Sequence, residues 1–122
     1  MNEQTQQLLD RTLEFRVNIL QFLCKLPGDI YRIPKEQVSR SSVSIGANYE
    51  EALGAVSKQG FSNKICTSYE EAKESLYWLR ILQQLCNEPA HKKDFELFIK
   101  ESQELKNIFA TIKKSSQENI TV

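Results

Sequence analysis

Three short breaks decide what this chain can fold into. They fall at Leu26-Pro27-Gly28-Asp29, between Gly54 and Ser57, and at Asn87-Glu88-Pro89. Between them lie long segments with apolar residues at helical spacing and no proline past a first turn. Pro27 cannot continue a helix, and Gly28 supplies a permissive turn. Pro34 suits the first turn of a new helix, and Ser57 suits an N-cap. The spacing predicts helices over about 5–26, 34–55, 58–86 and 90–114, followed by a frayed polar tail over 115–122. Four helices with short connections run antiparallel to their neighbours. The expected fold is therefore all-α, one domain over 1–122 forming an antiparallel up-and-down four-helix bundle.

A helix in a monomeric bundle needs an apolar arc of about 100° or somewhat more. The first segment exceeds this. Leu9, Leu13, Val17, Leu20 and Cys24 form one stripe, and Leu8, Phe15, Ile19, Phe22 and Leu26 form a second. With Leu23 between them, the stripes merge into an arc of roughly 220° at 100° per residue. The third segment has a main stripe of Phe61, Ile65, Tyr69, Ala72, Leu76 and Leu79, with Trp78, Leu82 and Leu85 beside it. One stripe per helix closes a four-helix core, so the excess marks a contact with another chain. Phe15, Ile19, Phe22, Trp78 and Leu82 are the expected residues of that contact, because they are large.

The second segment differs in chemistry. Val38, Ile45, Tyr49, Ala52 and Val56 make a core stripe. Beside them Arg40, Ser44, Asn48 and Glu51 are expected to form a polar seam that fixes helix register, since a satisfied buried polar group does so at some cost in stability. Arg16 is a further polar intruder, within the broad apolar arc of the first helix. Glu51, Glu71 and Glu74 are all candidates to pair with it.

No constellation for catalysis emerges. Glu88-Pro-Ala-His91 has the spacing of a di-iron ligand pair, but it is a single copy, it contains Pro89 and it holds the only histidine. There is no phosphate-binding glycine loop. Cys24, Cys66 and Cys86 are isolated and suit reduced core residues of a cytoplasmic protein. The expectation is no cofactor, no metal and no membrane partner. The formal net charge of zero opposes whole-molecule attraction to nucleic acid. Arg40, Lys58 and Lys64 are the candidate phosphate contacts should a local basic surface exist.

The run Arg40-Ser-Ser-Val-Ser44-Ile-Gly46-Ala47-Asn48, then Glu51, then Ser57-Lys58 and Phe61 resembles the bacterial four-helix-bundle family also called the 23S rRNA intervening-sequence protein family. Glu71, Ala72, Glu74, Tyr77, Trp78 and Leu79 fit the same pattern. The resemblance extends from Asp10-Arg11-Thr12 through Leu82. Gly60 departs from it, where an acidic residue often completes a capping box with Ser57. The resemblance implies a bundle assembled as a ring-like homopentamer. It is distantly similar to the basic accessory proteins of diversity-generating retroelements, which bind nucleic acid; the neutral charge of this chain departs from that group. The expected function is a non-enzymatic oligomeric scaffold, with a protein partner besides itself. The alternative is a nucleic-acid-binding accessory protein acting through a basic surface of the ring.

Overall fold

The computed structural model describes residues 1–120. Asn2 opens α1 (Glu3–Leu23), its side chain accepting from the Thr5 amide at 2.7 Å. The chain then turns at Gly28, whose φ of +116° is a conformation that L side chains rarely adopt. A short 3-10 turn leads into α2 (Arg32–Leu53), with Pro34 in its first turn. Lys35 Nζ donates to the Leu26 carbonyl at 2.8 Å, so α2 supplies a donor to the exit of α1. Ser57 Oγ accepts from the Gly60 amide at 3.0 Å and caps α3 (Lys58–Leu85). A second 3-10 turn, Pro89–His91, leads into α4 (Lys92–Ile120).

The expected frayed tail is a correction. Residues 115–120 continue α4, and Thr121 and Val122 lie outside the described residues. Ser116 is buried in this stretch, donating to the Lys113 carbonyl at 2.8 Å and sharing a hydrogen bond of 3.1 Å with Ser62 Oγ. Composition signalled fraying because the tail is polar. The facing position on α3 is also a serine, so the polar residue is satisfied where it is buried.

Pairings across the bundle fix its topology. Arg40 meets Glu71 and Glu74 while Glu51 meets Lys64, so an advance along α2 is a retreat along α3. Ser62 meets Ser116 while Lys113 lies over Tyr69, which runs α3 against α4. Arg11 reaches Glu101 while Phe22 meets Phe95, which closes the circuit with α1 antiparallel to α4. The bundle is up-and-down, and α1 stands diagonally across from α3.

Two packing regimes divide it. Between α2 and α3 the contact is built from small side chains. Ser41 and Ser75 share a hydrogen bond of 2.8 Å, and Ser68 Oγ donates to the Ile45 carbonyl at 2.9 Å, all within the buried interior. Hydroxyls that reach a neighbouring backbone or each other require close helix approach, and α2 and α3 are closely apposed along their length. The gap between α1 and α4 is wider and is filled by rings: Phe22 stands 5.0 Å from Phe95 and 5.3 Å from Phe98, and Phe15 stands 6.4 Å from Phe98, centroid to centroid. Edge-on and tilted ring pairs of this kind add to simple burial.

This division corrects the expected subunit contact. Phe15, Ile19, Phe22 and Leu82 are core residues, none more than 3% exposed. The outward stripe of α1 is the other one, with Leu13, Val17 and Leu20 exposed. The two stripes are similarly apolar, so hydropathy alone does not rank them; the aromatic stripe turns inward because only it spans the wide gap to α4. Of the five expected residues, only Trp78 reaches the surface; it is half-buried and edge-on to Tyr77.

Close approach also constrains Gly46, which is buried in α2 against α1. A Cβ there would stand 2.8 Å from Thr12 Oγ1 and 3.0 Å from Thr12 Cβ. Gly46→Ala gains about 1 kcal/mol of helix propensity but overpacks a stiff β-branched neighbour at a cost of about 1–3 kcal/mol. The expected net effect is a loss of stability in urea titration. Adding Thr12→Ala should recover part of it; a Gly46→Ala protein as stable as the parent would show that the helices separate freely.

Candidate functional site

The expected polar seam divides in two. Arg40 and Glu51 bridge from α2 to α3: Arg40 lies 3.0 Å from Glu71 and 2.5 Å from Glu74, and Glu51 lies 2.7 Å from Lys64. Ser44 and Asn48 turn back on their own helix, donating to the Arg40 and Ser44 carbonyls at 2.9 and 2.8 Å. They satisfy themselves locally and make no register contact. The register contacts are the buried hydroxyls of Ser41, Ser68 and Ser75, which sequence reasoning missed. A signal existed: Ser68, Ser75 and Leu82 recur every seven residues beside Ile65, Ala72 and Leu79, the spacing of a packed helical seam.

The seam has a defined electrostatics. Burial pushes the Glu71 carboxyl above the ordinary carboxylate range, and the adjacent Arg40 guanidinium works against that rise. Arg40 is in turn held protonated above its usual value, chiefly by its hydrogen bond to Glu74. The carboxylates considered for Arg16 are thus engaged elsewhere, Glu51 with Lys64 and Glu71 and Glu74 with Arg40. Arg16 has no ion-pair partner among the described residues. The strong pair of α1 is Arg11, bidentate to Glu101 at 2.7 and 2.6 Å. It bridges the rim of a groove of about 610 Å³ between α1 and α4, floored by Phe15, Phe22 and Phe98.

The candidate phosphate contacts do not converge. Arg40 and Lys64 each face a carboxylate, and Lys58 lies in the first turn of α3 beside Val56 and Phe61 at one end of the bundle. His91 packs edge-on against Phe22 at 5.5 Å. Among the described residues no three of His, Cys, Asp and Glu gather at a point that could hold a metal. Among them, too, no helix is long and apolar enough to cross a membrane.

What the structure does gather is two apolar outer faces. On α1, Leu13, Val17 and Leu20 are 47%, 42% and 38% exposed, and Cys24 continues the stripe. On α3, Tyr77, Ile81 and Leu85 line a shallow groove of about 570 Å³ with Lys73, Arg80 and Lys106 along its border.

A family model described as 23S rRNA-intervening sequence protein matches residues 4–111. Among solved structures, the chain is similar to a protein of unknown function from the S23 ribosomal protein family of Bacteroides thetaiotaomicron VPI-5482. The identity is 32% over 87% of this chain and 97% of that one, with a TM-score of 0.77. None of the curated proteins matches the chain.

Arg40→Ala tests the seam. A carboxyl raised by burial favours folding below its ordinary pKa and costs stability once pH rises through its folded value. Arg40 offsets that cost for Glu71 above the carboxylate range. Removing it should destabilise the protein by about 1 kcal/mol near neutral pH, the upper end for a partly exposed pair. The difference should shrink as pH falls and Glu71 protonates. Adding Glu71→Gln should restore part of the loss at neutral pH. A pH-independent difference between parent and Arg40→Ala would show that the pair is not its cause.

Proposed function

The chain belongs to the 23S rRNA-intervening sequence protein family, and on that premise we propose that it is a non-enzymatic, self-assembling helical bundle that serves as an interaction scaffold. The observation that carries this reading is the α1 stripe. Leu13, Val17 and Leu20 lie on one line of a helix whose opposite face already fills the core. A contiguous apolar line on a surface helix is stabilised by a partner that removes it from water, at about 25 cal/mol for each Å² buried. Self-association is the simplest such burial, and the family resemblance supports a ring of five. Three free thiols suit a reducing compartment, so the cytoplasm is the proposed location.

The nucleic-acid reading draws less support. Two of its three candidate cations face carboxylates, and the chain carries no net charge. Neither RNA nor DNA should shift in mobility with the protein at low salt. A shift that weakens steeply with added salt would favour the accessory-protein alternative.

Light scattering at micromolar concentration should give a mass several times the 14.1 kDa chain. Leu20→Asp should lower that mass with helix content unchanged by circular dichroism. A parent protein that stays at the chain mass would overturn the proposal.

A further inference from the structure

Along the outside of the α3–α4 contact, cations gather without carboxylates to meet them. The floor of the groove there is apolar. Leu76 is buried beneath it, and Tyr77, Ile81 and Leu85 follow one another a turn apart along α3, Tyr77 59% and Leu85 38% exposed. The rim is basic. Arg80 and Lys73 stand on α3 and Lys106 on α4, and among the described residues no carboxylate lines the groove. Past its end, Lys113 of α4 and Lys73 of α3 both lie over the Tyr69 ring, 4.7 and 5.3 Å from its centroid.

We propose that this groove docks an acidic amphipathic helix of another protein. The apolar stripe of that helix lies on Tyr77, Ile81 and Leu85, and its carboxylates face Arg80, Lys106 and Lys113. This names the chemistry of the protein partner and rests on the scaffold reading above. It is independent of self-association, which uses α1, diagonally across the bundle.

Charge carries the argument. At the other helix contacts the long cations meet carboxylates: Arg11 meets Glu101, Arg40 meets Glu71 and Glu74, and Lys64 meets Glu51. Beside α3 and α4 they do not. Lys73 is offset by Glu70 at 3.7 Å, so the attraction rests on the others. Arg80, Lys106 and Lys113 have no ion-pair partner among the described residues. Lys106 and Lys113 are also half-buried. Glu96 of α4 stands one turn from both Lys92 and Lys100 in the helical spacing, so it leaves the face basic. Two ammonium groups brought to one tyrosine ring from opposite helices repel each other, and a carboxylate beside them relieves that repulsion. On a chain of zero net charge, such a local field orients an oppositely charged partner.

The floor decides which anion fits. A nucleic acid would engage the cations through phosphates and leave the line of Tyr77, Ile81 and Leu85 uncovered. An amphipathic helix uses both parts, because its own apolar stripe meets such a line while its flanks meet the rim. From Tyr69 to Leu85 the face is about 24 Å long, room for a helix of about four turns.

Trp78 supplies the readout. It is the chain's only tryptophan and stands edge-on to Tyr77 at 5.2 Å. The probe is a tryptophan-free peptide of about 16 residues, with leucines at helical spacing and glutamates on both flanks. It should shift Trp78 emission and saturate. A protein carrying both Arg80→Glu and Lys106→Glu, with native helix content by circular dichroism, should bind it about tenfold more weakly or worse. The same peptide in scrambled order keeps the charge but loses the stripe, and it should bind more weakly too. The proposal is overturned if the acidic peptide gives no saturable shift, if the scrambled peptide binds as tightly, or if a single-stranded RNA binds more tightly through the same two cations. Light scattering separates these outcomes from the self-assembly reading. The doubly reversed protein should keep the parent mass; a lower mass would make the groove a contact between copies, ending the docking proposal while self-assembly stands. A parent at the chain mass that still binds the peptide would end self-assembly and leave the docking groove in place.

Discussion

The short contact between α2 and α3 governs the rest of the molecule. Two hydrogen bonds, Ser41 to Ser75 and Ser68 to the Ile45 carbonyl, hold these helices at a separation that only small side chains permit. Buried hydroxyls left without partners would be costly, so once the helices are close the register is specified. Concentrating small residues on one side of a bundle concentrates large ones on the other. Phe15, Phe22, Phe95 and Phe98 fill the wider space between α1 and α4. With those rings turned inward, the aliphatic stripe of α1 has nowhere to go but out.

That chain of consequences explains why the fold was legible from sequence and the surface was not. Pro27-Gly28, Ser57 and Pro89 punctuate the chain where α1, α3 and α4 begin or end, and the helical spacing between them admits one architecture. The width of the apolar arc on α1 correctly signalled surplus. Which stripe was surplus depended on the distance from α1 to α4, set by residues on α2 and α3 far away in sequence. Hydropathy ranks Leu20 with Phe22; geometry separates them.

The seam was half legible for a related reason. Arg40 and Glu51 are long, and their reach to α3 follows from type and position. Ser44 and Asn48 can bond either a neighbour or their own helix, and sequence does not choose between them. The buried serines of α3 went unread because serine is usually a surface residue. Their seven-residue recurrence with Leu82 carried the information, and a reading that counts small residues as core positions would have found it. The charges that link helices on this neutral chain sit in pairs, Arg11 with Glu101, Arg40 with Glu71 and Glu74, Lys64 with Glu51. Such pairing serves orientation between helices more than attraction to an external polyanion.

The central claim is that an inward aromatic stripe leaves an aliphatic one on α1 that a second copy covers. Sedimentation equilibrium across a wide dilution series tests it most directly. The account requires a mass of several chains that falls toward 14.1 kDa on dilution, with the transition moved to higher concentration by Leu13→Asp. A species of 14.1 kDa at every concentration, or an assembly indifferent to a charge at Leu13, would contradict it.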